Sequence, residues 1–251
     1  MSEIHGKKIY FASDFHLGAP DHDASVARER EIVAWMNSIK TDCGELFLVG
    51  DLFDAWYEYK RVVPRGFTRL LGKISEFTDA GIPVHVFLGN HDMWMRDYLD
   101  KECGAKLYPD ECIREWNGKK FFIHHGDGIG PGDGWYKFMR AGFRNNVLQW
   151  FYSRLHPNFA VRTAQKVSLR GFDKKEGELT WHGDDKELQM LFCKETLKKT
   201  HYDYFVFGHR HIPFVKECGS NSQLINLGDW IKSFTYAVFD GEKLELKKWE
   251  N

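Results

Sequence analysis

Leu46-Phe47-Leu48-Val49-Gly50-Asp51-Leu52-Phe53-Asp54-Ala55-Trp56 is the stretch from which the fold can be read. Its first four residues are continuously apolar, which suits a strand buried on both faces better than one with a wet side. The run ends in Gly-Asp. Four other stretches repeat the pattern: Ile9-Tyr10-Phe11-Ala12, Val84-His85-Val86-Phe87-Leu88, Phe121-Phe122-Ile123 and Tyr204-Phe205-Val206-Phe207. Each is followed within two residues by polar residues of a narrow set, namely Asp, His and Asn.

Helical signals separate several of these runs. Phe67, Leu70, Leu71, Ile74 and Phe77 share one helix face within residues 65–80, and Gly81-Ile82-Pro83 stops the helix. Residues 28–39 and 184–199 repeat the pattern more weakly, and residues 224–249 read as further strands with a turn at Asp240-Gly241. Alternating strands and helices imply an α/β layered fold with two sheets face to face.

Composition excludes several alternatives. The chain has 251 residues, 43% of them hydrophobic and 28% charged, with 35 Lys and Arg against 36 Asp and Glu, which describes a globular chain and not a disordered one. The five cysteines are scattered without a C-x-x-C pair, so a disulfide framework and a thiolate metal site are disfavoured. The N-terminus lacks the apolar core of a secretion signal, and no stretch approaches the ~20 apolar residues of a spanning helix. The expected location is the cytoplasm.

The polar residues after the runs carry the chemistry. They are Asp14-Phe15-His16, Gly50-Asp51, Gly89-Asn90-His91-Asp92, His124-His125-Gly126-Asp127 and Gly208-His209-Arg210-His211. Strand ends of an α/β sheet converge on one edge, where ligands bind. Asp-x-His and His-x-His in extended backbone aim both side chains to one side. Carboxylate, amide and imidazole groups gathered there describe a metal site of oxygen and nitrogen donors. A carboxylate can bridge two cations, and two cations ~3.5–4 Å apart can clamp a phosphoryl group during in-line attack. His85 and His124 read as packing or supporting residues, and Trp230 as core. Asp54 reads equally well as steadying a loop or a histidine.

The ordered motifs, spanning Asp14 to His211, resemble the signature of the calcineurin-like metallophosphoesterases. The resemblance implies a single domain over residues 1–251 with a four-layer α/β/β/α sandwich. It implies two divalent cations: Asp14, His16 and His211 would hold one, Asn90, His125 and His209 the other, and Asp51 would bridge them. His91 would stabilise the transition state or protonate the leaving oxygen, and Asp92 would orient His91.

Val49-Gly50-Asp51-Leu52-Phe53-Asp54-Ala55-Trp56, His125-Gly126-Asp127 with Asp133 and Tyr136 beyond, and Leu227-Gly228-Asp229-Trp230 further resemble the UDP-2,3-diacylglucosamine diphosphatases of lipid A synthesis. That resemblance implies cleavage of a nucleotide-lipid pyrophosphate to UMP and a lipid monosaccharide phosphate. Manganese is the typical cation of that family, although zinc or iron also suits the donor set. It implies peripheral contact with the cytoplasmic face of the inner membrane, substrate contacts at Asp133 and Tyr136, and a helical cap that holds acyl chains. Two positions depart from the best-known members, which have Arg where His91 stands and His-Thr-His-Arg-Pro where residues 209–213 read His-Arg-His-Ile-Pro.

The expected cap, at about residues 133–180, is compositionally distinct. Residues 135–175 hold nine Lys and Arg against the single acid Asp173, together with nine aromatics. Val147, Trp150, Phe151 and Leu155 fall at helical spacing there. Composition leaves three readings: a solvated hairpin with an aromatic core, a grip on nucleic acid, or a holder of anionic lipid. The Gly50–Trp56 block favours the lipid. The alternative activity is hydrolysis of another phosphodiester or nucleotide pyrophosphate, soluble or in nucleic acid, which His91 in place of Arg would suit.

Overall fold

The computed structural model describes residue 4 and residues 6–131, 134–175, 180–181 and 183–250, with the backbone alone for residues 135, 136 and 169–175. Strands β1 (Lys8–Ala12), β2 (Cys43–Leu48), β3 (Val84–Phe87) and β4 (Lys106–Tyr108) run parallel, joined through helices α1 (His22–Ile39), α2 (Thr68–Asp79) and α3 (Tyr98–Cys103). The chain then builds a second sheet from β5 (Cys112–Trp116), β6 (Lys119–Ile123), β7 (Tyr204–Phe207), β8 (Phe214–Gly219) and β9 (Ser222–Asn226). It returns to the first sheet as β10 (Thr235–Phe239) and β11 (Leu244–Lys248). The sheet orders are β11-β10-β1-β2-β3-β4 and β5-β6-β7-β9-β8.

The continuous apolar runs are two alternating sets. Tyr10, Ala12, Leu46, Leu48, Val84 and Val86 face α1 and α2, where Ile32, Trp35, Met36, Leu70, Ile74 and Phe77 cover them. Their neighbours Ile9, Phe11, Phe47, Val49 and Phe87 point the other way, into the space between the sheets, and meet Phe121, Ile123, Val206 and Ile225. Phe122, Phe205 and Phe207 leave the far face of the second sheet and pack on Met190 and Cys193 of α7 (Leu188–Leu197). The period of two within each strand therefore builds four layers, α/β/β/α. Each fully buried ring such as Phe47 contributes about 1.5–3 kcal/mol.

Helices α4 (Gly134–Phe143), α5 (Asn146–Tyr152) and α6 (Pro157–Lys175) occupy the expected cap. They rest on the body through specific bonds. Tyr57 Oη donates to Gln149 O at 2.9 Å, and Trp94 Nε1 donates to Phe143 O at 2.7 Å. Arg140 Nε pairs with Asp127 at 3.1 Å, and Arg144 with Asp110 at 2.9 Å. Asn145 caps α5, accepting from the amides of Val147 and Leu148. α5 stops at Tyr152, so Leu155 lies in the turn before Pro157 and not on the helix face its spacing suggested. Pro157 begins α6, where its missing N–H costs nothing.

Candidate metal centre

The loops leaving β1, β2 and β7 hold their polar residues in unusual backbone conformations. Asp14, His16, Asp51, His209 and His211 have φ of 57°, 44°, 53°, 69° and 56°. Left-handed backbone at a non-glycine residue costs of order 1–3 kcal/mol and persists only where the surroundings impose it. Here it folds each loop back so that its side chain returns to the sheet edge. Two glycines make room. A Cβ on Gly50 would meet His125 Nδ1 at 2.5 Å, and one on Gly89 would overlap the Asp51 carboxylate.

The side chains converge. His16 Nε2 lies 3.2 Å from His211 Nε2, and His211 Nε2 lies 3.3 Å from Asp14 Oδ1. Asp51 Oδ2 lies 3.6 Å from His16 Nε2 and 3.3 Å from His125 Nε2, while Asp51 Oδ1 accepts from the His91 amide at 2.9 Å. Asp14–His16–His211 and Asp51–His125–His209 each present three donor atoms within 4.8 Å of one another, as does His16–Asp51–His91.

The donors fit divalent cations. Ligand atoms on one cation with bonds of ~2.0–2.2 Å sit about 3–3.5 Å apart, close to the 3.2–3.8 Å separations of the Asp14, His16 and His211 donor atoms. Buried lone pairs without partners are costly. Asn90 Oδ1 is buried with no hydrogen-bond partner among the described residues, and Asp51 Oδ2 and His125 Nε2 face each other without hydrogen-bond geometry. His125 Nδ1 lies 2.8 Å from Val49 O, a carbonyl that can only accept, so Nδ1 carries the hydrogen and Nε2 is free to ligate.

Charge within the cluster is mutually adjusted. Burial alone would lower His16, but its bonds to Asp14 and Asp54 and the charge of Asp51 push it up to about 9. His125, equally buried, is raised to about 10 by Asp51. Burial would raise Asp14 and Asp51, yet the neighbouring imidazoles hold both below the usual carboxylate range. His124 goes the opposite way: burial lowers it to about 4, and its Nδ1 accepts from the Gly126 amide at 2.8 Å. It shapes the loop, as its place in the sequence suggested.

Asp92 differs from expectation. Its carboxylate accepts from the amides of Leu52 at 2.8 Å and Gly89 at 2.7 Å, and so ties two metal-centre loops together. Burial and the charge of Asp51 raise it to about 7. At the His91 ring nitrogen Nδ1 stand Asp54, with its carbonyl at 3.0 Å and its carboxylate at 3.6 Å, and the Ser168 hydroxyl at 3.0 Å. The physical reason is reach. Asp92 is committed to the loop amides, whereas Asp54 lines the cavity beside His91. Asp133 lies outside the described residues, and Tyr136 is described by backbone alone. Asp229 Oδ2, 3.6 Å from His211 Nδ1, entered the sequence reading only within the Leu227–Trp230 block, with no role assigned. Ser168 of α6, hydrogen-bonded to Asp54, had no sequence signal.

An apolar cavity of about 350 Å³ opens from Asn90 and His91 and runs beneath the cap, between Trp56, Met93 and Trp94 of the body and Phe143, Tyr152, Val161, Ala164 and Val167 of the helices. Other cap side chains face outward. Val147, Trp150 and Phe151 are 61%, 52% and 61% exposed, so they form no aromatic core. No helix among the described residues is long and apolar enough to cross a membrane.

Comparison with known proteins agrees with this geometry. A sequence profile of the calcineurin-like phosphoesterase family matches residues 7–213. The UDP-2,3-diacylglucosamine hydrolase of Porphyromonas gingivalis is 37% identical over 97% of this chain and 98% of its own. The proteins of that name from Actinobacillus succinogenes and Vibrio parahaemolyticus are 24% and 25% identical, over 89% and 94% of this chain and 92% and 96% of theirs.

Proposed function

The chain belongs to the calcineurin-like phosphoesterase family, and from that premise we propose that it hydrolyses the pyrophosphate of UDP-2,3-diacylglucosamine, giving UMP and 2,3-diacylglucosamine 1-phosphate. The observation that carries the substrate is the cavity beside His91: a nucleotide diphosphate alone would have no use for about 350 Å³ of apolar space reaching away from the phosphate site. In this reading Asp14, His16 and His211 hold one cation, Asn90, His125 and His209 the other, and Asp51 is shared. Manganese suits the mixed carboxylate, amide and imidazole donors.

Bound there, a pair of divalent cations supplies positive charge to the phosphoryl group and a nucleophile at neutral pH. The chain sets the geometry. Strained loops fix the ligand atoms before substrate arrives, so little reorganisation remains for the reaction. Val49 O holds His125 in the tautomer that ligates, and Asp229 does the corresponding service at His211. His91 stands at the mouth with Nδ1 held by Asp54, placed so that its ring would meet a phosphoryl oxygen or the departing one.

The cap completes the reading. Its inner wall takes acyl chains, and its outer rings, with Arg154 4.5 Å over Trp150, suit the anionic surface of the cytoplasmic leaflet from which such a substrate is drawn. Residues 133–180 thus act as one cap on a single domain, with Asp133 and Tyr136 as substrate contacts. Purified protein supplied with manganese and the nucleotide lipid should release UMP and the lipid phosphate in equal amounts. Cleavage of simple phosphodiesters without cleavage of the lipid would refute the substrate and keep the family.

A further inference from the structure

One hydroxyl of the cap reaches the metal-centre loops. Ser168 Oγ, on α6, donates to Asp54 Oδ1 at 2.6 Å and lies 3.0 Å from His91 Nδ1. The carbonyl of Asp54 lies 3.0 Å from the same ring nitrogen. Counting hydrogens fixes the pattern. A serine hydroxyl has one hydrogen, and the shorter contact, to a buried carboxylate, takes it. Ser168 Oγ then offers the ring only a lone pair. Asp54 O can only accept. With acceptors on both sides, Nδ1 must carry the hydrogen, and that N–H is shared between the body of the protein and a helix of the cap.

We propose that Ser168 is a positioning residue, which fixes the tautomer and orientation of His91 from α6 and so makes the aim of His91 depend on the seating of the cap. The inference rests on the function proposed above, in which His91 meets the reacting phosphate. Three facts support it. Ser168 and His91 are 77 residues apart and meet only because α6 lies over the cleft. Ala164, one turn before Ser168 on α6, and Val167, its immediate neighbour, line the apolar cavity. His91 and Ser168 line that same cavity side by side. An apolar occupant packed against α6 therefore secures the helix that carries Ser168. Binding energy from the remote part of the substrate is then spent on aligning a group at the reacting centre, which raises kcat and not affinity alone.

The test is a double-mutant cycle on the manganese-loaded enzyme with the diacylated substrate, joined to nitrogen-15 spectroscopy of the His91 ring in the zinc-loaded protein. Ser168→Ala should lower kcat by about tenfold, the scale of lost supporting contacts, with KM within about twofold. Ser168→Thr, which keeps the hydroxyl, should recover most of the loss. On a His91→Ala background, Ser168→Ala should cost nothing further, because its route of action is gone. The Nδ1 resonance should move in Ser168→Ala and return in Ser168→Thr. Undiminished loss on the His91→Ala background would place Ser168 on the substrate itself and overturn the proposal. If the wild type releases no UMP, the function proposed above fails separately, and the resonance decides Ser168: an unmoved Nδ1 signal overturns the contact.

Discussion

His16 Nε2 stands 3.2 Å from His211 Nε2, although 195 residues separate them in the chain. A buried and a largely buried imidazole at that range, both beside Asp14, make sense as ligands of one cation and are awkward otherwise. Asp51 links this pair to His125. Asp51→Asn keeps the volume and removes the charge. It should lower turnover by more than about 100-fold and cut the metal retained after dialysis, read by elemental analysis. Full metal content with full activity would remove Asp51 from the bridging position.

Glycine substitutions separate the centre from the scaffold. A Cβ on Gly89 would overlap Asp51 Oδ1, and the neighbouring backbone leaves it nowhere to go. Gly89→Ala should cost about 1–3 kcal/mol of stability and displace the carboxylate, with metal retention falling in step. Gly72, inside α2, has open space around its Cβ position. Gly72→Ala should stabilise the protein by about 0.5–1 kcal/mol through helix propensity and leave metal retention untouched. Denaturant midpoints and elemental analysis of the two variants check both.

The raised histidines predict how the metal-stripped protein answers pH. His16 and His125 have folded values of about 9 and 10, above the 6.5 of the free side chain. Their stabilising contribution is complete below pH 6.5 and is lost as pH rises through the folded values. The Tm of chelator-treated protein should therefore fall between about pH 7 and 10. Cations compete with those protons, so manganese should restore more Tm at the alkaline end, and binding should release protons measurable in weakly buffered solution. A flat alkaline profile without metal would show that these imidazoles are neutral in the folded state.

The convergence of these side chains was legible in the sequence because the candidate donors follow strands whose apolar runs are unmistakable. Asp14, Asp51, Asn90, His125 and His209 each stand within a few residues of such a run, and topology brings the runs together at one edge. β5 and β8 left weaker signals because they are half-exposed edge strands with charges such as Arg114 and Lys216, and β4 is three residues long. The partner of His91 was misread for a different reason. Asp92 is its neighbour in sequence, but which of two nearby carboxylates reaches a ring depends on how the loops fold, and here Asp92 is taken by the Leu52 and Gly89 amides while Asp54 lies beside the ring. Ser168 carries no local signal at all, since a serine in a basic helix looks like a solvated residue until the helix is docked.

The cavity makes a prediction about chain length. Its walls are side chains such as Trp94, Tyr152, Val161 and Ala164, with Asn90 and His91 of the metal-centre loop also lining it. Each methylene withdrawn from an acyl chain seated there should cost about 0.8 kcal/mol, close to fourfold in kcat/KM, until the remaining chain no longer reaches the cap. Ala164→Phe takes up part of that space. The length series should then shift, with shorter chains preferred and the longest losing most, while metal retention stays at the wild-type level because the substitution lies on α6 and not on a ligand loop. A series of substrates differing only in acyl length, assayed at fixed detergent with both proteins, gives the two curves. Superimposable curves would mean that the chains bind outside this cavity, on the exposed rings of α5 or in the membrane itself.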